Sequence, residues 1–268
     1  MPATSLHQRA ADLIWAQWSA GTLIDTLPDA LVPASRAQAY AVQALLEQRS
    51  AQPLFGWKIA ATSLAGQKHI GVDGPLAGRL FAEKVIAGGA ACELAPVHMR
   101  VAEAEFAFRM GRDLPPRAAP YAVDEVMAAV ASLHPAIEIP DSRFTHYEKL
   151  GALQLICDNA CAHAFYLGAP STADWRAMDL SKQVTAGQVL DAAGAQKLQW
   201  PGSGANVLGD PRIALAWLAN ELSAHGVTLR TGQVVTTGTC VPPMTVAPGD
   251  TFVADFGVIG EARLRFAA

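Results

Sequence analysis

The stretch Arg100–Leu114, RVAEAEFAFRMGRDL, decides the fold because its apolar residues recur at every second position. A period of two predicts a β-strand whose two faces differ in character. One face carries Glu103 and Glu105, which the rise of a strand places roughly 7 Å apart along the backbone. Two carboxylates on one face repel each other unless a positive charge lies between them. The other face is apolar and consists of Ala102, Ala104, Phe106, Phe108 and Met110.

A third glutamate interrupts a second apolar run, LHPAIEIPDSRF at Leu133–Phe144. In strand alternation Ile137 and Ile139 face the core, whereas Glu138 points to the other face. If this strand lies near the first, three carboxylates converge, and such hard oxygen ligands suit Mg²⁺, Mn²⁺ or Ca²⁺. No His or Cys pair has the spacing of a structural zinc site. The spacing alone leaves two interpretations open, a metal site and a solvated strand face.

A lysine lies among bulky apolar neighbours in LFGWKIAAT, at Leu54–Thr62. Lys58 either extends its amine to water, as strand lysines commonly do, or holds it in the interior. An amine kept out of water near a metal has a pKa that falls toward neutrality. Such a lysine can act as a general acid and base.

Composition limits the class of protein. The 268 residues are 51% hydrophobic and 16% charged, which is typical of a well-buried globular enzyme. The net charge is −4 and no Lys/Arg run occurs, which argues against a nucleic-acid partner. No apolar run reaches the ~18 residues of a membrane span, and the first residues lack the features of a signal peptide. Four cysteines without a CxxC pair favour a cytoplasmic location.

The first fifty residues read as helical. Ser5 is a candidate cap for a helix that ends near Gly21, and Ser35 is a candidate cap for a second helix. We therefore predict a helical N-terminal segment at 1–52 and a catalytic domain at 53–268.

Two further helices are predicted later in the chain. VDEVMAAVASLH (123–134) has Asp124 as a candidate cap, and GDPRIALAWLANELSAHG (209–226) has Asp210 at the N-cap, Pro211 at N1 and Gly226 after its end. The segment GSGANVLG (202–209) is not a dinucleotide fingerprint.

Short β-type runs outnumber the helices and do not alternate regularly with them. This order favours an α+β fold with a mixed, largely antiparallel sheet rather than a doubly wound one. The predicted strands are GWKIAAT, AEAEFAFRM, HPAIEIP, LQLICDNA, GQVVTTGTC, DTFVADFG and EARLRFAA.

Several motifs occur in a characteristic order: GWKIAATS, GVDGPLAGRLF, AEAEFAFRMGRDLP, PAIEIPDSR, CDNA, VLGDPRIALAWLAN and APGD. From about Ser35 onward the chain resembles the 2-keto-4-pentenoate hydratase/4-oxalocrotonate decarboxylase family of the fumarylacetoacetate hydrolase-like superfamily. The resemblance implies a mixed β-roll of the fumarylacetoacetate hydrolase C-terminal type with a small helical N-terminal segment. It also implies a homo-oligomer, Mg²⁺ or Mn²⁺ held by Glu103, Glu105 and Glu138, and a catalytic Lys58.

The activity that the resemblance implies is the hydration of a small 2-hydroxydienoate or 2-keto-enoic acid, such as 2-keto-4-pentenoate, in aromatic-compound degradation. Decarboxylation of a vinylogous 2-keto acid of the 4-oxalocrotonate type is the first alternative. A hydrolase that cleaves a C–C bond and an inactive partner subunit are the others.

The sequence departs from the family pattern at two places. Leu76 lies where hydratases of the family carry an aspartate, and decarboxylases tend to be apolar there. Asp73 either replaces that carboxylate or is an ordinary turn residue. In CDNACAH (157–163), Cys161 replaces a serine that would hydrogen-bond near the substrate, and His163 is bulkier than expected.

The predicted substrate-binding residues are Leu76, Asp158, Asn159 and Cys161. Asp158 and Asn159 are also interpretable as turn-formers. His69 is either a base on a loop over the site or a surface residue. Arg143 either pairs with Asp141 at the surface or steers an acidic substrate.

Overall fold

The computed structural model describes residues 5–268, so the first four residues of the predicted segment 1–52 lie outside it. The helices are α1 (Leu6–Ala20), α2 (Arg36–Glu47), α3 (Leu64–His69), α4 (Val123–Met127), α5 (Gly151–Cys157) and α6 (Pro211–Ala224). The strands are β1 (Leu54–Ala60), β2 (Leu76–Phe81), β3 (Val101–Met110), β4 (Val130–Ile139), β5 (Ala164–Leu167), β6 (Val184–Leu190), β7 (Gln196–Ser203), β8 (Val234–Thr239), β9 (Met244–Thr245), β10 (Thr251–Asp255) and β11 (Glu261–Arg265).

Side-chain caps start the three long helices at the residues that the sequence predicts. The Ser5 hydroxyl accepts from the Gln8 backbone N–H, and the Gln8 side chain returns to Ser5, which is a capping box. Ser35 caps α2 through its side chain. Asp210 caps α6, where Pro211 occupies the first turn. The division at residue 52 stays a prediction.

Two predicted elements are wrong, and in both the tertiary environment decides. The helix predicted over 123–134 stops at Met127, and Ala122 rather than Asp124 occupies its N-cap position, where the Ala122 backbone N–H donates to the Glu125 side chain. Val130–His134 begins β4 as the partner of β3. The strand predicted over 153–160 is α5, which packs against α2. Short apolar runs fit a buried helix and a buried strand equally well, so periodicity alone does not separate them.

The strands form two sheets. The larger has the order β2-β1-β8-β3-β4-β5, with β9 on β3, and the smaller has the order β11-β10-β6-β7. The β1–β8 pair is parallel, and the other recorded strand pairs are antiparallel. The prediction of a mixed, largely antiparallel sheet is therefore confirmed. Five strands escaped sequence analysis because their residues do not alternate clearly: β2, β5, β6, β7 and β9.

Strand register brings the polar side chains to one place. In the β3–β4 ladder Glu103 lies directly opposite Glu138, and directly opposite residues share a face. On the other side of β3 lies β8, and β8 also pairs with β1 at Lys58 and Thr236. Within residues 5–268, no helix has both the length and the apolar character that a membrane crossing requires.

Candidate metal centre and active site

Three carboxylates converge where β3 meets β4. One oxygen of each of Glu103, Glu105 and Glu138 lies within 4.8 Å of the other two. Glu105 and Glu138 are fully buried, whereas Glu103 keeps some exposure. Glu105 Oε1 and both Glu138 oxygens accept no hydrogen bond from the described residues. Buried acceptors without donors are costly, and here they all belong to two of the three clustered glutamates.

The second oxygen of Glu105 is held by β8. It accepts from the Thr236 hydroxyl and from the Gly238 backbone N–H at 2.7 Å. These donors fix one Glu105 oxygen and leave the other turned into the cluster. Sequence reasoning missed both residues, although a hydroxyl residue inside the apolar run GQVVTTGTC was a usable signal.

The cluster is short of positive charge. Burial and the neighbouring charge of Glu138 raise the pKa of Glu103 to about 7, against the opposing effect of Lys58. Burial and the charges of Glu138 and Glu103 raise the pKa of Glu105 well above its usual range. Three carboxylates and one ammonium sum to a formal charge of −2, which a divalent cation would neutralise. The donor set therefore fits a hard divalent cation.

Lys58 lies inside the protein and not in solvent. Its Nζ is 2.9 Å from Glu138 Oε1, an ion pair without hydrogen-bond alignment, and donates to the Ala160 carbonyl at 3.0 Å. Burial lowers the lysine pKa, but Glu138, Glu103 and Glu105 together outweigh burial and raise it. The side chains of this site alone therefore do not lower the Lys58 pKa toward neutrality, the change that the sequence predicts for an amine near a metal.

An unusual turn places the Ala160 carbonyl. Asn159, Ala160 and Cys161 all adopt left-handed backbone angles, with φ of 55°, 51° and 59°. Each such non-glycine residue costs on the order of 1–2 kcal/mol. The Asn159 side chain stabilises the turn by accepting from the Arg79 backbone N–H at 2.7 Å and donating to the Arg79 carbonyl at 2.8 Å. Asn159 thus anchors the turn to β2 through both amide atoms, and its role in substrate binding stays a prediction.

Asp158 and Arg143 form a buried pair beneath the same turn. The Arg143 guanidinium donates to Asp158 and to the Asp141 and Ala162 carbonyls, and the Ser142 hydroxyl donates to Asp158 at 2.7 Å. Both charged side chains are at most 2% exposed. The interpretation of Arg143 as a surface partner of Asp141 is therefore wrong, and its role as a guide for an acidic substrate stays a prediction.

Gly78 lets the turn approach Lys58. A methyl group at this position would lie 2.4 Å from the Asn159 carbonyl oxygen and 3.0 Å from Lys58 Cγ. We expect Gly78→Ala to lower the free energy of unfolding by about 1–3 kcal/mol, the cost of overpacking, and to lower turnover. Chemical denaturation and steady-state rates measure both effects. Gly74→Ala is the matched control because nothing lies within 4 Å of its added methyl, and equal losses in the two variants would contradict the close-packing argument.

Leu76 and Asp73, the two residues that bear on the hydratase pattern, differ strongly in solvent exposure. Leu76 is fully buried and pairs with Ala60, and Gly78 pairs with Lys58, so Leu76 lies on the Lys58 face of the sheet. The Asp73 side chain is 93% exposed and lies 3.9 Å from Arg36. Asp73 is therefore a surface turn residue, and the position of the expected carboxylate is apolar.

Cys161, the last residue of the turn, and His163 are both buried in the core. The Cys161 thiol is buried, with a pKa raised to about 12 by burial and by Asp158. The other three cysteines are buried and free as well. His163 accepts a hydrogen bond from the Trp18 indole N–H at 3.1 Å.

Acid is expected to destabilise the fold through His163. Burial, and then the cations Lys84, Arg143 and His98, lower its pKa to about 3. An unfolded chain binds this proton below pH ~6.5 and the folded chain does not, so the stabilisation is complete above 6.5 and is lost as the pH falls toward 3. From pH 7 to pH 5 the loss is about 2 kcal/mol.

Denaturation curves of His163→Gln at several pH values test this expectation, since glutamine keeps an acceptor for the indole but does not titrate. Its stability should depend less on pH than that of the unmodified protein. The exposed His146→Gln serves as the control and should retain the full slope. A His163→Gln slope equal to the control would show that His163 is not the responsible group.

His69 lies at the end of α3, exposed to solvent. Its Nε2 is 3.5 Å from the Tyr147 hydroxyl. Burial and then the charges of Cys161, Glu148 and Glu103 raise the Tyr147 pKa to about 12. The structure thus brings Leu76 and Cys161 to the Lys58 side of the sheet and leaves His69 and Asp73 at the surface.

Fold and site together define a class of protein. Residues 52–267 match the fumarylacetoacetate (FAA) hydrolase C-terminal family, so the chain belongs to that family. The resemblance inferred from the motifs and the predicted fold class are both confirmed.

Individual members of related protein groups give a more specific comparison than the family match. The chain is 31% identical over 263 residues to the 2-keto-4-pentenoate hydratase of Paraburkholderia xenovorans (strain LB400), with 97% of this chain and 94% of the relative covered. It is 30% identical over 223 residues to the 2-hydroxyhexa-2,4-dienoate hydratase of Comamonas testosteroni, with 82% and 81% covered. The 4-oxalocrotonate decarboxylase of Pseudomonas putida G7, complexed with magnesium and adipate, superposes with a TM-score of 0.85 at 25% identity over 97% of both chains.

Proposed function

We propose that the protein is a divalent-metal-dependent hydratase of small 2-hydroxydienoates and 2-keto-enoic acids, such as 2-keto-4-pentenoate. The observation that carries the proposal is the buried cluster of three glutamates beside one lysine, with a formal charge of −2 and three oxygens without a donor. Two relatives of about this length named as hydratases of such acids support the substrate class.

Glu103, Glu105 and Glu138 would hold Mg²⁺ or Mn²⁺. When bound, the cation would supply Lewis-acid stabilisation of negative charge on the substrate oxygens. The residues of the chain set up the rest: Thr236 and Gly238 orient Glu105, and the dry surroundings of Glu138 strengthen every electrostatic contact in the site.

Lys58 would move the proton at its Nζ when the dienol converts to the ketone. Its stem is enclosed by Gly78 and its amine is aimed by the Ala160 carbonyl and Glu138. A buried amine with two fixed partners has one orientation, so its remaining proton would be presented in a single direction. Water then adds at the distal carbon of the conjugated system.

Decarboxylation of a vinylogous 2-keto acid is the second candidate, and Leu76 favours it. The side chain is apolar and buried on the Lys58 face, where the hydratase pattern has a carboxylate to handle water. A decarboxylase needs no such group, because the same stabilisation of negative charge serves the departure of CO₂.

Product analysis separates the two reactions. With Mg²⁺ present, the hydratase proposal predicts loss of dienol absorbance from 2-hydroxypenta-2,4-dienoate and formation of 4-hydroxy-2-ketopentanoate. Release of CO₂ from 2-oxohex-3-enedioate without hydration of the dienoate would overturn that proposal in favour of the decarboxylase. Heat-inactivated protein with the same metal is the control for spontaneous tautomerisation.

We also propose that the chain works in the cytoplasm as a homo-oligomer. Three apolar side chains of the β6–β7 hairpin support association because they are exposed, namely Val184, Leu198 and Trp200. Light scattering measures the mass, and a monomer at micromolar concentration would contradict the oligomer. Fractionation of cells that produce the protein tests its location.

A further inference from the structure

A cavity lies on the side of the β1–β2 pair that faces away from Lys58. Trp57 and Arg79 are directly opposite each other in this pair, and their side chains alternate with those of Lys58 and Gly78. The cavity has a volume of about 160 Å³. Helix α2 and the end of α6 form its other walls, with Ala37, Tyr40, Ala41, Ala44, Glu221, Leu222, His225 and Val227.

Arg79 is the buried charge of this cavity. The residue is 5% exposed, and its guanidinium lies 4.7 Å from the centre of the Trp57 ring. Nε donates to Glu47 at 3.1 Å, and Nη1 donates to the Gln43 side-chain oxygen. Nη2 donates to no described residue, so the guanidinium keeps an uncommitted edge.

The other charges near the cavity are already compensated. Glu221 pairs with Arg36 at 3.2 Å and lies 3.7 Å from His225. The Tyr40 hydroxyl accepts from the Ala77 backbone N–H at 3.1 Å. Alanine, leucine and valine side chains and the Trp57 ring supply the rest of the wall, so the cavity combines one available cationic edge with apolar surface.

We propose that this cavity binds a small carboxylate with an apolar body the size of one ring. The carboxylate would meet Nη2 of Arg79, and the ring would lie against Trp57 and Leu222. An apolar cavity of about 150 Å³ accommodates benzene, which matches the volume here, and guanidinium is the side chain best suited to a planar carboxylate. This site is separate from the carboxylate cluster and does not depend on the proposed reaction.

Calorimetric titration of the Mg²⁺-loaded protein with benzoate tests the proposal. Benzamide and benzylamine are the matched probes because they keep the ring and remove or invert the charge. Binding of benzoate that exceeds both by about tenfold or more, the typical effect of a charge-assisted hydrogen bond, is the expected result. Equal binding of benzamide, or no binding of benzoate at all, would overturn the proposal.

Three variants locate the site. Ala44→Leu fills the cavity from α2 without changing any charge, and should abolish benzoate binding. Arg79→Met should weaken it about tenfold or more. Glu47→Gln should tighten it about two- to fivefold, because it removes the partly exposed carboxylate that now pairs with Arg79.

Benzoate could also meet the metal centre, and Glu105→Gln separates the two places. This substitution lies in the cluster and leaves the cavity intact, so benzoate should bind the variant as it binds the unmodified protein. Loss of binding in Glu105→Gln would place benzoate at the cluster, and full binding in Ala44→Leu would place it outside the cavity. Either result would overturn the proposal.

Discussion

Replacing Glu105 with glutamine is expected to abolish metal-dependent turnover and to weaken Mg²⁺ binding by at least about 100-fold. Even residues that only support metal ligands cost 10–100-fold in affinity when changed, and Glu105 offers a buried oxygen without a donor. Glutamine has the same shape, and its side-chain oxygen can still accept from Thr236 and Gly238.

Stability distinguishes a metal ligand from a structural residue in this variant. Burial and the charges of Glu138 and Glu103 disfavour the charged form of Glu105, so its removal should leave the metal-free protein equally stable or more stable. Calorimetry with Mg²⁺ and thermal unfolding with and without Mg²⁺ measure both quantities. The exposed Glu93→Gln is the control, and a variant that binds Mg²⁺ as tightly as the control would refute the assignment of Glu105.

Replacing Lys58 with methionine is expected to lower kcat by about 10²–10⁴-fold, the usual contribution of general acid–base catalysis. The same substitution should not weaken Mg²⁺ binding, although it lowers turnover. The ammonium lies 2.9 Å from Glu138 and competes with a cation for the same carboxylates. Without it the cluster carries a formal charge of −3, so Mg²⁺ should bind as tightly as before or more tightly.

Bound Mg²⁺ should raise the stability of the Lys58→Met variant. Removal of one partner from a buried ion pair is strongly destabilising, by about 3–5 kcal/mol, and bound Mg²⁺ should restore part of that loss. Lys68→Met on α3 is the control for loss of a lysine. A Lys58→Met protein that loses metal affinity together with turnover would indicate a structural role instead.

The sequence predicts the starts of α1, α2 and α6 well because each start depends on neighbouring residues only. Ser5, Ser35 and Asp210 accept hydrogen bonds from residues two or three positions ahead, so the pattern and the structure contain the same information. The same argument holds for Glu103 and Glu105, which must share a face once β3 is a strand.

Segments whose secondary structure depends on contacts with distant parts of the chain are harder to assign from the sequence. Val130–His134 continues a helical pattern but pairs with β3. Residues 153–160 read as a strand, but most of them belong to α5, which packs against α2. At the left-handed turn 159–161 the sequence indicates only Asn159, a residue type that tolerates this conformation. Ala160 and Cys161 adopt it against their own preference, so the tertiary structure decides the rest of the turn.

The sequence by itself determined that two carboxylates lie side by side on an otherwise apolar strand, because a strand alternates with a fixed period. Only the tertiary structure decided that Glu138, Lys58 and Thr236 meet them, because the pairing of β3 with β4 and β8 and of β8 with β1 depends on the packing of the whole sheet. It also decided that Leu76 lies inside and Asp73 outside. Local periodicity sets the face of a side chain, whereas its neighbour across the sheet is set by residues far away in the chain.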